Sequence, residues 1–100
     1  MSQLTPRTEE IIERVVAPNV QGEVRSLLQR GCDAQTLACT GWSDEQMERI
    51  WFAVLKLGEG KPASVKSAVS LAQTDWRDLL MAAGFGEDED AHERWWAGVC

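Results

Sequence analysis

The 100-residue sequence has no tyrosine, only two phenylalanines and one histidine, and its longest unbroken apolar run is Ile50-Trp51-Phe52-Ala53-Val54-Leu55. That run is far below the roughly 18 residues of a membrane span, so no transmembrane segment is expected. The start, Met-Ser-Gln-Leu-Thr-Pro-Arg, lacks the basic and apolar regions of a secretory signal, and a cytoplasmic protein is expected. Cys32, Cys39 and Cys100 are odd in number and contain no Cys-x-x-Cys pair, which argues against a disulfide framework and fits reduced thiols. No segment alternates apolar and polar residues as a strand does, and Asn-Gly and Asp-Gly hairpin turns are missing. Strand-based folds are thereby excluded.

Basic residues are also scarce. Ten Lys and Arg stand against sixteen Asp and Glu, a net charge of −6, which repels polyanions. Each half of the chain carries five bases and eight acids, so there is no basic arm. A chain of this length buries one core, so residues 1–100 are read as a single helical domain.

Helical signals fill the sequence. Thr5-Pro6 opens a first helix with Ile11, Ile12, Val15 and Val16 in a stripe, and Pro18 ends it. Asn19 can cap a second helix, in which Val20, Val24, Leu27 and Leu28 share a face before Gly31. A short third helix is expected from Asp33 through Thr40, with Leu37 inward. Ser43-Asp44-Glu45-Gln46 has capping-box form. The stripe Met47, Ile50, Trp51, Val54 and Leu55 follows, with Glu45, Glu48, Arg49 and Lys56 mostly on the opposite, polar face. Gly58-Glu59-Gly60-Lys61-Pro62 reads as a loop within the domain. Beyond it come a helix with Val65, Ala68, Val69 and Ala72 inward, a fresh cap at Thr74-Asp75, and a helix bearing Trp76, Leu79, Leu80 and Ala83. The acidic run Glu87 to Asp90 leads a last helix with Ala91, Trp95 and Val99. The expected fold is all-α, a compact orthogonal bundle of six to seven short helices.

Leu37 to Glu45 and Leu80 to Asp88 echo each other as helix end, glycine, aromatic and acidic helix start. This loosely resembles the Gly-aromatic turn of small ubiquitin-associated three-helix modules, a turn that helps form a binding patch in that family. Capping alone accounts for the same residues and is the preferred reading.

Residues 33–57 have the spacing of a helix-turn-helix pair, which suggests a nucleic-acid-associated regulator. The exposed start of its second helix, however, is Asp44, Glu45 and Glu48, with Arg49 the one base. Cys32, Cys39, His92 and Cys100 have the atom types of a zinc site but not the close ligand pairs. A thiol nucleophile at Cys32 would need His92, the sole histidine, beside it. No phosphate-cradling loop or assembled catalytic set is legible, so a small enzyme or metal protein is a second alternative, and no metal or cofactor is expected.

Five tryptophans are many for a core of this size. Trp51 and Trp76 fall on apolar faces. Trp95 and Trp96 are adjacent, about 100° apart around a helix, and cannot both point at one spot. The expectation is therefore a protein-protein interaction or regulatory module, open to self-association, with Trp95, Trp96, Trp42 and Phe85 as candidate partner-binding residues.

Overall fold

The computed structural model describes residues 4–33, 35–37, 41–88 and 90–99. Among them are five α-helices, one 3₁₀ turn and no strand: α1 (Pro6–Val15), the 3₁₀ turn (Pro18–Val20), α2 (Gln21–Gly31), α3 (Asp44–Gly58), α4 (Pro62–Ala83) and α5 (Ala91–Val99). The expected count of six to seven is not reached in this element order: Thr74-Asp75 breaks α4 into two helical stretches joined at a kink, with no loop between them, and only the turn at residues 35–37 is described from the helix expected over 33–40. Thr40 and Cys39 lie outside the described residues, as does Cys100.

Local chemistry sets the helix starts. The Thr5 hydroxyl accepts from the Thr8 amide and Pro6 takes the first position of α1. At α3 the Ser43 hydroxyl accepts from the Gln46 amide while Gln46 Oε1 accepts from the Ser43 amide, closing the capping box. Asn19 does not cap α2. Pro18 starts a 3₁₀ turn instead, α2 begins with no side-chain cap, and Gln21 Nε2 reaches back to the Val16 carbonyl. Within α4, Asp75 is extended (φ −161°, ψ 101°) and its carboxylate accepts from the Arg77 amide, so the expected fresh cap exists as a break in one long element.

α3 is the hub. It packs most extensively along α4 and also meets α1 and α5, while α2 lies on α4. Its stripe Met47, Ile50, Trp51, Val54 and Leu55 is buried, and so are Phe52 and Ala53, because neighbours cover more than one of its faces. Ile11, Ile12, Val24, Leu28, Val65, Leu79 and Phe85 are among the residues that pack against it in the core. Each such side chain contributes about 1.5–3 kcal/mol when fully buried. Glu48 departs from the polar-face reading: it is buried, because the start of α1 covers that face of α3.

Two glycines mark tight places. A Cβ at Gly31 would stand 2.4 Å from Val69 Cγ1, so the absence of a side chain lets α2 approach α4. Gly84 ends α4 at φ 82°, in the left-handed region where a glycine carries no steric penalty.

Candidate functional site

The four aromatic candidates do not form one patch. Phe85 is 1% exposed, since the turn after Gly84 folds its amide back to the Leu80 carbonyl and its ring into the core. Trp95 is half-buried with its ring 6.0 Å from Phe52 and 6.1 Å from Phe85. Trp96 is half-buried under the Arg7 guanidinium, 4.4 Å from its ring centroid. Trp42 lies elsewhere, edge-on to Trp76 at 4.8 Å and 81°. Trp51 is fully inside and donates to the Cys32 carbonyl at 3.0 Å.

The seam under α5 is polar as well as aromatic. Arg7 of α1 reaches Glu93 of α5 at 2.6 Å and Glu48 of α3 at 3.8 Å. His92 is buried beside them. Neither of its ring nitrogens has a hydrogen-bond partner among the described residues, and Trp96 Nε1 is likewise unpaired. Burial pushes the imidazole below its ordinary pKa; Glu93 opposes that shift, and the Arg49 charge adds to it. Glu45, Gln46, Arg49 and His92 line a cleft of about 290 Å³ there. Both imidazole nitrogens are themselves covered, so a molecule in the cleft would meet Glu45 and Gln46 rather than the imidazole.

The thiol chemistry considered above has no support at Cys32. Burial pushes its pKa up to about 12, which leaves a neutral core thiol at neutral pH. Among the described residues no three His, Cys, Asp or Glu side chains are placed to hold a metal ion. No described helix is long and apolar enough to cross a membrane. At the start of α3, Asp44 and Glu45 are exposed, while Arg49 turns inward and donates to the Phe85 carbonyl. A phosphate backbone laid on that helix start would meet two carboxylates first.

A different surface emerges from the cations. Arg7, Arg14, Arg25 and Arg94 form ion pairs. Arg49 and Lys56 donate to backbone carbonyls, and Arg77 lies over the Trp76 ring. Of the ten bases this leaves Arg30, Lys61 and Lys66 without a side-chain partner among the described residues. Two of these three line one groove of about 380 Å³ between α2 and α4, with Ser26, Leu27, Gly31, Val69, Ser70 and Gln73. Leu27 and Val69 supply apolar surface, Gln73 donates to the Gly31 carbonyl at 3.0 Å, and none of the described lining residues is acidic. In a chain with sixteen carboxylates, a groove with no acid among its described lining residues and one spare cation from each helix is a local reversal of the overall charge.

Sequence reasoning passed over this groove because it joins two helices distant in the chain. A signal was present nonetheless. Arg14 has Glu10 four residues before it and pairs with it, whereas Lys66 is flanked at that spacing by Pro62 and Ser70, and Arg30 is preceded at that spacing by Ser26. Comparison of the chain with protein-family models, curated proteins and solved structures finds no match.

Proposed function

We propose that the protein is a small protein-protein interaction module whose contact surface is the α2/α4 groove, receiving an acidic segment that carries an apolar side chain. The observation behind this reading is the coincidence of Arg30 and Lys66, which have no side-chain partner among the described residues, with an apolar floor that carries no carboxylate among those residues. Spare cations attract and orient an acidic segment, while the floor of Leu27 and Val69 offers burial to one side chain. An acetylated peptide of one leucine flanked by glutamates is the probe. Titrated into the labelled protein, it is expected to shift the amide signals of Leu27, Arg30, Val69 and Gln73, and Lys66→Glu should abolish the shifts. Binding that leaves these amides unmoved, or that survives Lys66→Glu, would overturn the assignment.

A second reading retains Trp95, Trp96 and Trp42 as contact residues. It is favoured by the unpaired Trp96 Nε1, a buried donor that a partner could satisfy if α5 moved. Here Trp96→Phe is the discriminating variant: it leaves groove binding unchanged under the first reading and weakens partner binding under the second.

A further inference from the structure

The chain carries a second patch whose chemistry is the converse of the groove. Met81 is 59% exposed, the exposed large hydrophobic side chain among the described residues. A Cβ at Gly86 would stand 2.2 Å from Met81 Sδ, so the turn after α4 closes directly against the thioether and limits its freedom. Met81, Gly84, Gly86 and Glu87 line one depression, and the Lys56 ammonium beside Gly84 is held by the Ala83 carbonyl at 2.7 Å. Asp78 lies three residues before Met81, on the same face of α4. Neither Asp78 nor Glu87 has a side-chain partner among the described residues, whereas nearby Asp88 holds Arg94 at 2.5 Å.

The two surfaces therefore match in kind. One is the exposed Met81 side chain, the knob, with the spare carboxylates of Asp78 and Glu87 near it and the one neighbouring ammonium, Lys56, tied to the Ala83 carbonyl; the other is an apolar-floored groove with two spare cations. We propose that the α2/α4 groove receives the Met81 knob of a second copy of this chain. This rests on the reading of the groove as a site for an acidic, apolar-anchored segment, and it names that segment.

Two features of the contact follow from general physics. Each copy offers both surfaces, so reciprocal docking about a two-fold axis closes a dimer, and one-way docking extends a chain of copies. Two chains of net charge −6 also repel at a distance, so association depends on local complementarity and is readily reversible.

Charge reversal on exposed residues tests the proposal without touching the core. In one variant the groove is reversed, Arg30→Glu with Lys66→Glu. In the other the knob is reversed, Asp78→Lys with Glu87→Lys. Sedimentation equilibrium of the unaltered chain from about 10 μM to about 1 mM is expected to show the average mass rising with concentration. Each variant alone juxtaposes like charges and should associate at least roughly tenfold more weakly. Their equimolar mixture should associate again, because the acidic groove of one chain meets the basic knob of the other and the natural pair forms as well. Met81→Gln should weaken association without changing helix content.

A constant monomer mass over that range, or a mixture no more associated than its components, would overturn the second-copy proposal. If the mass stays monomeric while the glutamate-flanked leucine peptide still binds the groove, the interaction-module reading stands and only the identity of the occupant fails. If the peptide also fails to bind, both fall.

Discussion

The Glu48 carboxylate accepts from the Thr5 hydroxyl, whose oxygen in turn accepts from the Thr8 amide in the first turn of α1. A buried negative charge is thus linked through one hydroxyl to the positive end of a helix, with Arg7 3.8 Å away as counter-charge. Glu48→Ala removes the acceptor and leaves the Thr5 hydroxyl without that partner, and it is expected to destabilise the fold by about 2 kcal/mol. Glu48→Gln keeps an acceptor and loses the charge, so about half that cost is expected. Urea unfolding of the three chains measures both, and equal midpoints for Glu48 and Ala would remove the argument. The helical period of α3 assigned Glu48 to the polar face correctly as far as α3 alone is concerned. What it lacked was α1, which covers that face and turns a solvated position into a buried one.

At the scale of elements, α4 is the informative case. Thr74-Asp75 carries a cap signal, and the backbone obeys it at Asp75 while the helix resumes at once on the other side. The Asp75 carboxylate satisfies the Arg77 amide that the break leaves free. Asp75→Ala is expected to cost about 1 kcal/mol and Asp75→Asn only a few tenths, since asparagine presents the same acceptor. Thermal denaturation of the two variants checks the ordering; indistinguishable midpoints would mean that the break does not depend on its cap. The starts of α1 and α3, the loop expected over 58–62 and found at 59–61, and the inward faces of α2, α3 and α4 were legible because each is fixed by residues within about four positions of one another. The 3₁₀ turn at Pro18 was not, since proline at a first position suits either helix type. The groove was not legible as a surface either. Arg30 and Lys66 show in sequence only that they lack an intrahelical acid, and the approach of α2 to α4 at Gly31 is what brings them to one surface.

Across the whole molecule, the first and last helices meet over α3, and that closure is where acid should act. His92 of α5 is buried with Glu93 on its own helix, Glu48 and Arg49 from α3, and Arg7 from α1 around it. Burial holds its pKa below the ordinary value, so the folded chain keeps the imidazole neutral while the unfolded chain takes up a proton near pH 6.5. Between the ordinary pKa and the lowered one the unfolded state binds more protons, and stability therefore rises with pH in that window. The contribution is fully present above about pH 6.5 and is lost as pH falls toward the folded value, at no more than about 1.4 kcal/mol per pH unit for one proton. Asp88, held below its usual range by the Asp90 amide and Arg94, also loses a stabilising interaction on acidification, but in the carboxylate window at lower pH. The two are separable by pH. Urea midpoints measured at about pH 7.5, 6.5 and 5.5 should fall slightly between the first two and more steeply to the third. His92→Asn removes the titrating group and should flatten that fall while leaving the steeper acid limb below about pH 4.5 in place. Because α5 is joined to α1 and α3 largely through this cluster and the Trp95 and Trp96 rings, the fall should coincide with a change in tryptophan fluorescence. A midpoint that falls just as far in His92→Asn would assign the acid sensitivity to carboxylates instead.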